Sequence, residues 1–232
     1  MSKSVLAKRA LSEGVLGKSS EARVKQIVTI AFSKRLLEPS EMFAATQKEL
    51  QVARAPLRLQ RELLLLFTLR SSPMLQEFMK SVFWPKKSAG FDRIGRDQVV
   101  DFFARLEGTK WIEGAWTPTT RLKVSRSVLQ TLAEFGLLED HAALERKIFP
   151  FRITSEVVAY LAHENRSFGR PENALFDLPD WAWYGIPRDR VFGELMQASE
   201  VGQYVAQFSG DLLRISFSYP TMEDYLNAVA RG

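Results

Sequence analysis

The chain has 232 residues, 46% of them hydrophobic, enough for a packed core in one large domain or two small ones. It has no cysteine, which excludes disulfides, thiolate catalysis and cysteine-ligated zinc. The net charge of +5 is unevenly spread, with 23 Lys/Arg against 12 Asp/Glu in residues 1–130 and 9 against 15 in residues 131–232. Such polarity suits approach to a polyanion from one side, although a solvated surface of mixed charge would look similar.

The N-terminus, MSKSVLAKRALSEG, is basic but lacks the hydrophobic stretch of a secretory signal. Ser19 or Ser20 caps a helix running to about Leu37, with Val24, Ile27, Val28 and Ala31 inward. Pro39 at the first helical position, with Glu41 near the positive helix end, opens a second helix to about Ala53. Pro56 opens a third. Its Leu57, Leu59, Leu63–Phe67 and Leu69 are apolar nearly all round, the pattern of a buried central helix. The run Leu63–Phe67 is the longest unbroken apolar stretch, far below the roughly 20 residues needed to span a bilayer. A cytoplasmic protein without a membrane partner is therefore expected.

Ser72-Pro73 caps a fourth helix carrying Met74, Leu75, Phe78, Met79, Val82 and Phe83. Pro85–Gly95 (PKKSAGFDRIG) reads as a loop with Lys86, Lys87 and Arg93 exposed, closing an N-terminal helical bundle of residues 1–90.

Residues 91–153 carry the most informative pattern. Arg96–Leu106 is a short amphipathic helix with Val99, Val100, Phe102, Phe103 and Leu106 apolar. After a connection from Glu107 to Trp116, Thr117 is an N-cap and Pro118 stands at the first helical position. The helix runs to Phe135, with Gly136 as its stop. Val124, Val128, Leu132 and Phe135, flanked by Leu129 and Leu122, form the expected inward face. Thr119, Lys123, Arg126, Ser127 and Gln130 form the outward one. No acidic residue lies between Glu113 and Glu134, so the cations at the front of this helix have no local partner. Glu139–Glu145 is a polar link, and Arg146–Ile153 (RKIFPFRI) alternates like a strand that Pro150 confines to an edge or ribbon. Helix, connection, capped basic helix and ribbon is the order of a winged helix-turn-helix, although the connection exceeds the usual three- or four-residue turn.

The remainder, residues 154–232, reads as a C-terminal helical cap. Thr154 caps a helix to about His163, and a loop spans Glu164 to Asp177. Leu178–Gly185 (LPDWAWYG) packs aromatics without Lys or Arg, which favours buried anchors over base-stacking platforms. Pro187 opens a helix to about Ala198, Leu212–Tyr219 alternates like one strand, and Thr221–Ala230 closes as a helix with Met222, Tyr225, Leu226 and Val229 inward. The fold class expected is all-α with a minor β-ribbon.

Catalytic patterns are few. The sequence holds no phosphate loop and no nucleophile elbow. Its two histidines, His141 and His163, stand without ligand-spaced partners, so no metal or cofactor is expected. Asp97 and Asp101 stand at i and i+4, a spacing that could hold Mg²⁺ but also that of a solvated helix face. No enzymatic activity is expected.

Three motifs carry a family resemblance: W-T-P-T-T-R-x-K-V with V-L-Q-T-L-A-E-F-G-L-L, then D-L-P-D-W-A-W-Y-G-I, then R-I-S-F-S-Y-P-T-M-E-D-Y-L. Together, from about Lys18 onward, the chain resembles the BrxA family of bacterial phage-exclusion (BREX) systems. The resemblance implies a mostly helical, non-enzymatic accessory protein that binds double-stranded DNA beside a methyltransferase, an ATPase and a phosphatase-like partner. For DNA contacts it points to the segment holding Thr119, Thr120, Arg121, Lys123, Arg126 and Gln130. From the charge reading, Lys86 and Lys87 join them as candidates. Two other readings stay open: a protein-only adaptor whose basic helix docks on an acidic partner, and an RNA-binding helical module.

Overall fold

The structure is a computed structural model that describes residues 3–17, 20–37, 41–52, 54–140, 143–210 and 212–230. The expected roles of Ser19, Pro39 and His141 fall outside these residues, as do the side chains of Ala31 and Glu41. The described chain is mostly helical, with two small antiparallel strand pairs, as the patterning implied.

Helix α1 (Lys3–Ser12) and α2 (Glu21–Gln26) form a hairpin with its own small core of Ala7, Val24 and Val28. Ser20 caps α2 by accepting from the Arg23 amide. The helix then passes into a π-helical stretch, Ile27–Leu37, where each bond reaches one residue further than in an α-helix. That wider winding buries Ser33 beside Leu36, a face that 3.6-residue periodicity does not pick out.

After α3 (Glu41–Val52), the central helix α4 (Leu57–Arg70) buries Leu59, Leu63, Leu65, Leu66, Phe67 and Leu69. Leu57, expected inward, is 77% exposed, because it occupies the first turn, at the edge of the bundle. Helix α5 (Pro73–Phe78) continues through a π-helical turn, Met79–Phe83, into α6 (Trp84–Ser88). The expected loop therefore starts later than Pro85, which stands directly after the π-helical turn, where the regular α-helical bonding is already interrupted. Trp84 anchors this end: its indole N–H donates to the Trp183 carbonyl at 2.7 Å and its ring lies on Gly185. Gly185 has a φ of +75°, and an added Cβ would sit 2.4 Å from that ring, so only glycine fits.

Strand β1 (Arg93–Gly95) leads into α7 (Arg96–Leu106), and α8 (Pro118–Glu134) follows. Strand β2 (Glu145–Lys147) pairs antiparallel with β1, Ile94 facing Arg146, while Leu138 bridges to Ile148 on the other side. Three segments thus form a small ribbon beside α8. The strand is shorter than Arg146–Ile153: the Phe149 amide still donates to the Leu137 carbonyl at 3.0 Å, and the ladder stops at Pro150, which has no N–H to give it. Helix α9 (Ser155–Ser167) runs a turn past His163, and a 3₁₀ turn (Glu172–Asp177) precedes the short α10 (Asp180–Trp183) and α11 (Arg188–Glu200). The single strand expected at Leu212–Tyr219 is half of a hairpin: β3 (Tyr204–Ser209) pairs with β4 (Leu212–Phe217) from Tyr204↔Phe217 to Ser209↔Leu212. Helix α12 (Met222–Val229) closes the chain, capped reciprocally by Thr221 and Asp224.

One apolar core runs from Leu36 to Ala230. Charges cross it at two points along α4. Glu62 accepts from Arg58 and from the amide and hydroxyl of Thr154, at 2.9 Å each. Arg70 grips Glu164 with two nitrogens at 2.6 and 2.7 Å and Asp180 at 2.7 Å. Burial alone would weaken the Arg70 charge, but the two carboxylates outweigh it and raise its pKa. Trp181 and Tyr184 are buried anchors, with Tyr184 donating to the Glu62 carbonyl at 2.8 Å.

Replacing Arg70 by Met leaves two buried carboxylates without their cation, and should cost about 3–5 kcal/mol in urea unfolding. A loss below about 1 kcal/mol would show that the triad is not a main support.

His163 lies buried between Phe217 and Tyr225, with ring centroids at 4.5 and 4.4 Å. Burial, reinforced by the Arg166 charge, pushes its pKa from 6.5 down to about 4. The unfolded chain therefore binds the proton more readily, and stability present above about pH 6.5 is lost as pH falls toward 4. The loss should be on the order of 3 kcal/mol, read from urea midpoints across that window. His163→Phe should flatten the profile there, and an unchanged slope would assign it to other groups.

Candidate nucleic-acid interface

Helix α8 forms where its termini signals place it. The Thr117 hydroxyl accepts from the Thr120 amide at 3.1 Å, Pro118 takes the first helical position, and Gly136 ends the helix at a φ of +75°. Its inward face is turned from the one expected. Ser125, Leu129, Leu132 and Ala133 are buried, whereas Val124 and Val128 are only half-buried. The small Ser125 and Ala133 let the helix lie close to the core, a preference that hydrophobicity does not register.

Thr119, Thr120, Lys123, Arg126 and Ser127 are exposed on the outer face. Lys123 and Arg126 have no ion-pair partner among the described residues. Arg121 departs from the expectation that these cations are unpartnered. Its guanidinium meets Glu107 at 2.7 Å and the Trp116 carbonyl at 3.2 Å, pinning the α7–α8 connection to the helix. Its partner is 14 residues upstream, beyond any local charge pattern. Gln130 is half-buried, its amide oxygen accepting from both terminal nitrogens of Arg146 at 3.3 Å.

Lys86 and Lys87, expected exposed on a loop, are half-buried on α6. They lie over the rings of Phe91 and Trp84, at 4.3 and 5.1 Å from the centroids. Burial lowers the pKa of Lys87. Neither lines the groove beside α8. That groove, of about 700 Å³, separates the outer flank of α8 from residues 143–146. Arg96, Lys123, Arg126, Gln130 and Arg146 line it, with Glu134 as its carboxylate.

No sequence motif marks Arg96 as part of this groove, whereas Arg146 carries a signal. It stands two residues before the buried Ile148, hence on the same strand face, so alternation puts a cation at an inward position. Asp97 and Asp101 are both exposed on α7. Among the described residues no group of three or more His, Asp or Glu gathers to hold a metal, and no helix is long and apolar enough to cross a membrane.

The site is thus a capped helix, with Lys123 and Arg126 exposed and without an ion-pair partner among the described residues, beside a second helix and a ribbon in a mostly helical protein. The BrxA family model matches residues 1–165, and the chain belongs to that family. Membership makes it a BREX-associated phage-defence accessory protein. The matched span contains α7 and α8, while D-L-P-D-W-A-W-Y-G-I and R-I-S-F-S-Y-P-T-M-E-D-Y-L lie beyond it. Neither the curated proteins nor the solved structures yield a match.

Because Arg121 is a brace, Arg121→Ala should destabilise the fold by about 1.5–3 kcal/mol, the worth of hydrogen bonds to a charged group. Lys123→Ala should stay within about ±0.5 kcal/mol. Equal thermal shifts in the two variants would remove the distinction.

Proposed function

We propose that this BrxA-family protein binds double-stranded DNA, without catalysing a reaction, by setting α8 against the duplex with the ribbon alongside. In this reading β1, α7, α8 and the ribbon act as a winged helix-turn-helix within residues 91–153. The observation that carries it is the outer face of α8, where Lys123 and Arg126 stand exposed and without an ion-pair partner among the described residues. Exposed threonines at the first turn, Thr119 and Thr120, suit phosphate contact through their hydroxyls at the positive end of the helix dipole. Arg121 supports the interface by bracing it. Gln130 acts through Arg146, and Lys86 and Lys87, held over aromatic rings, sit outside the α8 groove. The cation excess of residues 1–130, which include most of α8, would steer the protein toward a polyanion.

The purified protein should bind duplexes of unrelated sequence with similar affinity, and log K should fall steeply with log salt, by about 0.9 for each phosphate neutralised. The double substitution Lys123→Ala with Arg126→Ala should weaken binding and reduce that slope by up to about 2, with the unfolding midpoint nearly unchanged. Leu132→Ala is the contrasting control, costing about 2–5 kcal/mol of stability through a core cavity. A wild-type slope in the double variant would place the interface elsewhere. Failure of the wild type to bind any duplex at low salt, with retention by an acidic partner of the defence system, would favour the adaptor reading.

A further inference from the structure

In the ribbon, β2 shows an exposed, buried, exposed alternation, and its buried residue is Arg146, only 6% exposed. The position opposite it in the ladder is Ile94, fully buried, so Arg146 stands where an apolar side chain would normally pack. Its terminal nitrogens donate to the Leu129 carbonyl and the Gln130 amide oxygen, all at 3.3 Å. These acceptors are neutral. They satisfy N–H groups but not the charge, and the buried Nε has no hydrogen-bond partner among the described residues. Arg96 repeats the pattern at the start of α7. Its Nε is also buried and without a hydrogen bond, and the Asp97 carboxylate lies 3.7 Å away on a side chain that is 88% exposed.

A guanidinium taken out of water without an anion is strongly disfavoured. Elsewhere in this chain the buried cation, Arg70, has two carboxylates against it. Arg146 and Arg96 share one groove wall system with Lys123 and Arg126, so four cations face a concave space whose lining includes one carboxylate, Glu134. Guanidinium is planar and matches the oxygens of a tetrahedral oxyanion.

We propose that the groove between α8 and residues 143–146 is a discrete phosphate-binding pocket. Arg146 and Arg96 form its floor and supply fixed charge, and Lys123 and Arg126 close over the bound group from α8. The pocket accepts a single phosphoryl group, either a phosphodiester of the duplex or a free phosphate-bearing ligand. Assigning the duplex as the source rests on the DNA-binding reading, but the pocket itself does not.

The test follows the arginine Nε–H resonances of the full-length wild-type protein by NMR, at constant ionic strength set with chloride. Inorganic phosphate and a short duplex are titrated separately. Phosphate should shift the Arg146 and Arg96 signals in a saturable way, and the duplex should move the same two. In parallel, Arg146→Gln and Arg96→Gln should each lower the duplex salt slope by about 1 and weaken binding equally across sequences. Should Arg146→Gln fail to fold, the wild-type resonances and the more accessible Arg96→Gln decide. Saturable shifts with phosphate but no duplex binding would support the pocket for a free ligand and remove the duplex reading. Duplex binding that leaves both Nε signals still, with unchanged slopes in the variants, would overturn the pocket and leave duplex binding standing. Silence toward both ligands would overturn it as well.

Discussion

Arg70 decides how the helices of this protein meet. Its guanidinium is held against Glu164 near the end of α9 and Asp180 at the start of α10, all three largely buried. Such a triad contributes little net energy relative to a well-packed apolar cluster, because desolvating three charges offsets most of their attraction. Its geometry is demanding, however. Two parallel bonds to one carboxylate and a third to another are made in one arrangement of α4, α9 and α10, so alternative packings leave buried charges unpaired. Glu62, in the first half of α4, does the same, receiving Arg58 and the residue before α9, Thr154. Apolar burial along α4 supplies the driving force, and these charges select the register.

The same chemistry has the reverse disposition at the ribbon. Within the core, cations are matched by carboxylates, and the Tyr160 hydroxyl, held well above its ordinary pKa by burial, completes the set around Glu164. Beside α8, two arginines are drawn inward and two further cations stand outward, while the nearby carboxylates are fewer. The hydrogen bonds of Arg146 to Leu129 and Gln130 return only part of the cost of this arrangement. It costs desolvation, and the compensation comes from the packing of Ile94, Leu137, Leu138 and Ile148 around it. The charge left unmatched there is the ground on which the proposed phosphate pocket rests.

Much of the architecture was legible because its causes are local. The N-cap at Thr117, the proline after it and the glycine at 136 bound α8 through interactions spanning four residues or fewer. The same holds for Thr221 and Asp224 at α12. The hairpin partner of β4 also left a period-two trace, with Tyr204, Ala206 and Phe208 turned toward the core and Val205 and Gln207 outward. Its status as a strand comes from the pairing with β4, from Tyr204↔Phe217 to Ser209↔Leu212. The π-helical stretches left no comparable trace, since the face they bury includes the polar Ser33, which a hydrophobic period does not mark.

The sequence by itself determined the mostly helical class, the extent of α7 and α8, the anchoring role of the aromatic octet and the membership that its motifs suggested. Each follows from patterns read within one element. Only the tertiary structure decided which cations are free. Arg121 lost that status to Glu107 across the α7–α8 connection, and Lys86 and Lys87 settled over aromatic rings. Arg146 and Arg96 came together from strands and helices some 50 residues apart. The reason is physical: a charge's partner is set by distance in space and by what water it loses, and neither quantity is written along the chain.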